Sequence, residues 1–304
     1  MDKEGRLIIS GLVTGVYRLD ITLDILEHFA YEKGFVRMEL DHQGILWGTN
    51  NGLFFLDMEN RLISEVDLHR TNPNMNIAFG VKEDSQKNIW IGLGQKIGIL
   101  DPERKAIRFI GEPEGLVVRT AYNFTEDKSG NVWITAFSTD AFSVSLQNSK
   151  VMHLGAAQGY FGRTTDVFED NMDRLWLISN DTVTVYDPVS SKIKKILTGS
   201  PIRVVGFPSS SMMGKGGEIL IGTDKDGILL IDPKGMMAEN FSTNNGLESN
   251  DVWGIDEDSQ GRIWMATYRG INIYDPEKEK LSLLKLPSEL SGNDFRQLIA
   301  IGED

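Results

Sequence analysis

Arginine and asparagine recur at one point of a pattern that this 304-residue chain repeats along its length. Counted seven residues back from the Glu of a Glu-Asp pair, that point holds Asn76, Arg119, Asn250 and Arg296. Arg163 falls one residue later in its own copy, Arg203 is the nearest match where an insertion shifts the frame, and Arg37 has a looser offset. A guanidinium is a planar fork of donors that suits carboxylate or sulfate oxygens, and several converging on one place form a local positive focus. The pattern therefore predicts a site for an anionic ligand, such as a uronic acid or a sulfated glycan fragment. The alternative is that these arginines neutralise nearby acids, among them Asp166, Asp251 and Asp294. Aromatic residues share the same loops: Phe35, Phe137, Tyr160, Phe161, Tyr268 and Phe295. Tyr160-Phe161, between Gly159 and Gly162, reads as an exposed pair that stacks on a sugar ring, plugs a channel or meets a neighbouring domain. Tyr268-Arg269 fills a turn where other copies have Asn51 or Asp226, and is a second candidate on the same rim.

Other chemistries find less support. There is no cysteine, which excludes disulfides, thiolate metal sites and a Cys nucleophile. The four histidines, His28, His42, His69 and His153, fall on outer strands or hairpin turns, too dispersed for a His-based acid–base site. The run Asp256-Glu-Asp-Ser-Gln-Gly261 has some character of a calcium loop, but lacks the bidentate Glu at its far end and recurs from copy to copy as part of the repeat. No metal, cofactor or catalytic residue is assigned. Asp and Glu are abundant enough that paired carboxylates for glycoside cleavage stay open as an alternative. A net charge of −13 disfavours nucleic acid and anionic membrane surfaces as partners.

The elements that must position these residues follow from the repeat. An acidic pair, a polar turn, an aliphatic residue, Trp, a second turn, alternating apolar residues and Asp recur in that order, as in EDSQGRIWMATYRGINIYD from Glu257 to Asp275. The anchors are Ile8, Trp47, Trp90, Trp133, Trp176, Leu220 and Trp264, spaced by 39, 43, 43, 43, 44 and 44. Regular spacing of this kind marks a repeat architecture. Each copy holds four short runs of strand character bounded by Gly, Asp and Pro. In the last full copy they are Asp251 to Glu257, Arg262 to Thr267, Ile271 to Tyr274 and Lys280 to Leu286. Four antiparallel strands per unit, repeated seven times, predict an all-β, seven-bladed β-propeller as a single domain. The chain ends on a first strand and begins on a second, so the C-terminal strand should complete the N-terminal blade and remove the open edges. Blade 1 is then about 1–33 plus 292–304, and blades 2 to 7 are about 34–72, 73–112, 113–156, 157–200, 201–245 and 246–291. The tryptophans are expected to fill the space between blades. Asp41, Asp84, Asp127, Asp170 and Asp258 are expected to accept N–H bonds in their own turns.

The segments Gly44-Ile-Leu-Trp-Gly-Thr-Asn-Asn-Gly-Leu53 and Gly246-Leu-Glu-Ser-Asn-Asp-Val-Trp-Gly-Ile-Asp-Glu-Asp258 resemble the two-component regulator propeller repeat, and the likeness runs over essentially the whole chain. The resemblance implies a non-catalytic sensor domain of a bacterial hybrid histidine kinase, periplasmic in location and sensing a glycan. Asn is common in that family at the position of Asn250; here several copies have Arg. The implied partners are an oligosaccharide or other small polar ligand, and neighbouring sensor domains of the same protein or a second copy of it. The chain holds no stretch of about 20 apolar residues and no signal-peptide pattern, so it reads as an excised domain or mature fragment. Two other readings stay open: a propeller scaffold for protein interaction, and an enzyme similar to the seven-bladed streptogramin lyases or to a glycosidase.

Overall fold

The computed structural model describes residues 6–11, 15–20, 25–30, 34–68, 77–136, 140–160, 162–179, 182–197, 208–232, 237–286, 290 and 295–300. The fold is a seven-bladed β-propeller, each blade a four-stranded antiparallel sheet. The blades fall into two compact units, 37–199 with blades 2 to 5, and 1–36 with 200–304, which holds blades 1, 6 and 7.

In the second of these units the closure expected of the chain ends is present. Phe295–Ala300 is the first strand of blade 1 and pairs antiparallel with Arg6–Gly11, in register from Leu7↔Ala300 to Gly11↔Phe295. Gly15–Asp20 and Ile25–Ala30 complete that sheet. Blade 6 runs Pro208–Met213, Ile219–Thr223, Ile228–Asp232 and Met237–Phe241. Blade 7 runs Val252–Glu257, Ile263–Thr267, Gly270–Asp275 and Lys280–Leu283. In the other unit the first strands are Arg37–Leu40, Val81–Glu83, Ala121–Glu126 and Thr164–Glu169 for blades 2 to 5.

The anchor residues are core. Trp90 is fully buried, Trp133, Trp176, Trp264 and Ile8 are 1% exposed, Leu220 is 2% and Trp47 3%. Trp90 packs with Phe124, Val132 and Ile134 of the next blade, and Trp133 with Val167, Leu175 and Tyr186 of the one after. The second strands of blades 3, 5, 6 and 7 are buried at every residue and therefore on both faces of their sheets, which is how stacked blades remove apolar surface from water.

The acidic pair does two separate structural jobs. Its Asp accepts the indole N–H of the Trp six residues on: Asp41–Trp47 at 2.8 Å, Asp84–Trp90 at 2.7 Å, Asp127–Trp133 at 2.8 Å, Asp170–Trp176 and Asp258–Trp264 both at 2.9 Å. The other carboxylate oxygen accepts the turn N–H groups two and four residues on, as Asp127 does from Ser129 (3.0 Å) and Asn131 (2.8 Å). Blade 6 has Leu220 for Trp, and Gly214 stands where the Asp would be, keeping the backbone bonds of the turn, its N–H to Glu218 O and its carbonyl from Gly217 N–H, both at 2.8 Å. The Glu of the pair reaches back to the turn of the preceding blade. Glu83 accepts from His42 N–H at 2.9 Å, Glu126 from Ser85 at 2.6 Å, Glu169 from Lys128 and Glu257 from Lys215 at 2.9 Å. One carboxylate thus closes a hairpin and orients the core indole, while its neighbour fastens two blades together.

Candidate functional site

The first strand of most blades carries a β-bulge at the same repeat position. The extra residue is Tyr122 in blade 4, Thr165 in blade 5, Ser209 in blade 6, Trp253 in blade 7 and Arg296 in blade 1. In blade 3, Phe79 N–H bonds Gly92 O while Gly92 N–H bonds Gly80 O, both at 2.9 Å, which places Phe79 at the same point. A bulge leaves one residue out of the ladder and re-aims its side chain, and bulges are concentrated near functional sites.

In blades 2 to 5 these positions and the residues after them form a mixed polar and aromatic cluster. Arg37 opens the first strand of blade 2 and is electrostatically coupled to Asp166 of blade 5 and Tyr122 of blade 4. Asp166 is 5% exposed and accepts from Asn123 Nδ2 at 2.7 Å and from Val167 N–H at 2.9 Å. Tyr122 stands edge-on to Phe79 with ring centroids 5.7 Å apart. Burial lowers the affinity of Arg37 for its proton, against the pull of Asp166 and Tyr122. Burial likewise raises the Tyr122 phenol, against a bond with Thr120 and the charge of Arg37. Arg37, Tyr122 and Asn123 are half-buried. They present atoms to solvent while their backbones stay fixed in strands. The strands approach closely because Gly80 and Gly92 face the backbone carbonyls of Tyr122 and Ala121, where a Cβ would collide.

In blades 1 and 7 the guanidinium of Arg296 lies 4.1 Å from the ring centroid of Trp253, a cation–π stack. The Trp253 indole nitrogen is buried and finds no hydrogen-bond partner among the described residues. Tyr268, 49% exposed, sits in the adjoining turn, which is tied down by Tyr268 N–H to Asp251 O at 3.0 Å.

The structure sorts the sequence-predicted residues into several groups. Arg37 lies in the cluster. Arg119 and Arg163 are exposed on the loops leading into blades 4 and 5. Those loops share a short 3-10 turn closed by a left-handed glycine, Gly115 at φ 88° and Gly159 at φ 82°. Asn250 follows the same turn in blade 7, where its side-chain oxygen accepts from Thr243 N–H at 2.7 Å. Its role there includes holding its own loop. Asn76, Phe161, Arg203 and Phe137 lie outside the described residues.

Two expectations are corrected. Tyr160 is not an exposed platform: it is 1% exposed, packs with Leu154, Val167 and Leu177, and its hydroxyl bonds Thr164 and, at 3.2 Å, Ser179. It follows the left-handed glycine as Leu116 and Leu247 do, and all three N–H groups bond back across the turn at 3.0 Å. Phe35 and Phe295 are likewise fully buried. Arg296 is not the counterpart of Arg119 and Asn250. The register Ser10↔Gln297 and Gly11↔Phe295 makes it the bulge residue, three positions further along, beside Trp253 and not in a leading loop. Sequence reasoning missed Tyr122, Asn123, Phe79 and Trp253. A count of five residues back from the Asp of the pair would have found Phe79, Tyr122 and Trp253.

Residues 246–269 match the model of the two component regulator propeller family. The matched segment runs from the left-handed Gly246 through both bulge and anchor tryptophans to Arg269, the turn after the second strand of blade 7. Among solved structures the chain is similar to the extracellular domain of BT4673 from B. thetaiotaomicron, described as a one component system. Identity is 17%, the TM-score 0.50, and the match covers 94% of this chain and 42% of that one. A second structure of BT4673, described as a hybrid two component system, gives 17% identity and a TM-score of 0.49, with the same coverage. The extracellular domain of the hybrid two component system BT3049 from the same organism gives 14% and 0.40, covering 92% of this chain and 50% of that one. At such identities the likeness concerns the fold, and the chain spans 42% of the length of the BT4673 domain. A search of curated proteins finds no match. Among the described residues no helix is long and apolar enough to cross a membrane.

Proposed function

We propose that this propeller is the ligand-binding sensor domain of a two-component signalling protein, works outside the cytoplasm, in the periplasm, and carries no chemistry of its own. Its ligand is a glycan fragment. The observation that carries the reading is the cluster on the first strands of blades 2 to 5. Arg37, Tyr122, Asn123 and Asp166 offer donors, acceptors and an aromatic ring edge on rigid strands. Sugars are bound by that combination: hydroxyl groups exchange hydrogen bonds with fixed polar groups while their C–H faces lie on an aromatic ring. The family match over 246–269 supports the two-component setting. The leading loops of the same unit expose Ile77 (45%) and Val117 (62%), the kind of surface a neighbouring domain of the same protein would cover. Signalling follows if the ligand binds one arrangement of that contact more tightly than another.

The test is a thermal-shift screen against neutral and acidic oligosaccharides, repeated on Tyr122→Ala and on Arg119→Ala. A ligand at about a hundred times its dissociation constant stabilises by about 2.7 kcal/mol. The shift should disappear in Tyr122→Ala and persist in Arg119→Ala. Product formation in the same incubations would replace the sensor reading with an enzymatic one.

A further inference from the structure

We infer that the cluster of Arg37, Tyr122, Asn123 and Asp166 selects a neutral, hydroxyl-rich ligand and turns anions away. The inference rests on the reading of this cluster as the ligand site. An arginine facing a ligand on a bare surface would invite a carboxylate or sulfate. Here Arg37 and Asp166 sit in one cluster with opposite charges, and Asp166 is 5% exposed. Asp166 is held in place by Asn123 Nδ2 at 2.7 Å and Val167 N–H at 2.9 Å, so it cannot swing aside for an incoming anion. Both bonds are donated to it, which is what an ionised carboxylate accepts. An anion entering would meet that fixed negative charge and give up its own hydration, while the attraction of Arg37 is offset in part by Asp166. A cation would meet the reverse problem at Arg37. A hydroxyl group is both donor and acceptor, and serves a carboxylate and a guanidinium without adding charge. Tyr122 and Phe79, edge-on with ring centroids 5.7 Å apart, add an apolar border that favours a C–H face over a charged one. The net charge of −13 acts in the same direction at longer range. Arg119 and Arg163 are exposed on the leading loops, where salt screens them.

The roles can be assigned singly. Asp166 is the group that rejects anions; Arg37 and Asp166 together bind hydroxyls; Asn123 is a positioning residue that acts through Asp166. Removing the negative charge while keeping the shape should expose the arginine. Asp166→Asn retains an oxygen for the Val167 N–H and should convert the site to an anion binder.

The experiment uses the whole chain and inorganic sulfate as probe, followed by melting temperature at constant ionic strength with chloride as the balancing salt. Wild type should show no saturable sulfate effect. Asp166→Asn should acquire one, and Arg37→Gln/Asp166→Asn should lose it again. In parallel, wild type is titrated calorimetrically with matched pairs of neutral and uronate-containing oligosaccharides. The neutral member should bind at least about tenfold more tightly, a difference of about 1.4 kcal/mol. Saturable binding of sulfate by wild type, or a preference for the uronate member, overturns the inference. Should Asp166→Asn fail to fold, the wild-type sulfate and paired-ligand arms still decide the matter. Absence of binding by any oligosaccharide would defeat the glycan reading, while the sulfate series would separately uphold or overturn the charge selection.

Discussion

The bond between each Asp and the indole six residues on can be measured in blade 4, where the partners are neutral. Asp127 is 5% exposed and Trp133 1%. Asp127 accepts the indole N–H at 2.8 Å, Ser129 N–H at 3.0 Å and Asn131 N–H at 2.8 Å. A hydrogen bond to a charged group contributes about 1.5–3 kcal/mol, and a buried donor left without a partner costs about 1–3 kcal/mol. Asp127→Ala removes the indole bond, both turn bonds and the bonds from Asn131 Nδ2, and strands the Trp133 N–H, so a loss of about 3–5 kcal/mol is expected. Trp133→Phe removes the same indole bond and part of the ring, for about 2–4 kcal/mol. The double variant has no stranded indole, so the single losses should not add: the coupling should be about 1.5–3 kcal/mol. Urea unfolding followed by far-UV circular dichroism gives all three values. Additivity within about 0.5 kcal/mol would refute the claim that the carboxylate and the indole stabilise this blade as a pair. Blade 6, with Gly214 and Leu220 in these places, is the natural comparison, since neither member remains when the other is gone.

Further predictions concern the seams and the strand contacts. Arg104 donates to buried Asp41 at 3.1 Å and to Glu83 at 3.2 Å and lies 5.5 Å from the Trp47 ring, so Arg104→Met should cost about 3 kcal/mol by leaving the buried Asp41 carboxylate with its neutral donors but without its cationic partner; equilibrium unfolding checks it. Gly92→Ala should destabilise by about 2 kcal/mol or more, because its Cβ would meet the Ala121 carbonyl, with a lower urea midpoint as the readout. Stability should also pass through a maximum on the acid side of neutrality. Burial works to raise Asp170 and Asp258, but bonds from Arg174 and Trp176, and from Trp264 and Arg262, prevail and hold both below the usual 3.8. Their contribution is present above that value and is lost as pH falls through the folded pKa. Glu39, Glu169 and Glu257 are raised above 4.5 by burial, so they favour the folded state while protonated and lose that contribution as pH rises through their folded pKa. Melting temperature followed from pH 7 downward should first rise and then fall below about pH 4; a monotonic decline would contradict these assignments.

The architecture was readable in the sequence because the repeat is written in large residues. Anchor spacings of 39 to 44 gave the blade count, and the strands of blade 7 begin within one residue of their expected starts. The turn role of the five aspartates was legible too, because Asx turns are local. Their bonds to tryptophan were not, since the six-residue offset has meaning only once the hairpin is folded. The site was harder to read. A β-bulge adds one residue without disturbing the turn signals, so the alternation around Tyr122 and Trp253 looks like ordinary strand. The Glu303-Asp304 pair gave a frame three residues out for Arg296, because the register of that strand is set by Ile8↔Ile299 and not by the chain's last acids. Tyr160 appeared polar and loop-like in its Gly-rich surroundings, yet it occupies the buried place that leucine fills in blades 4 and 7.

The most direct measurement is hydrogen–deuterium exchange with and without a saturating oligosaccharide found in the thermal-shift screen. Protection should appear in peptides spanning 36–40, 119–126 and 163–169, the strand segments that bear Arg37, Tyr122, Asn123 and Asp166. Protection confined to the fourth strands, or to the turns that hold the acidic pairs, would mean that the ligand sits elsewhere on the propeller.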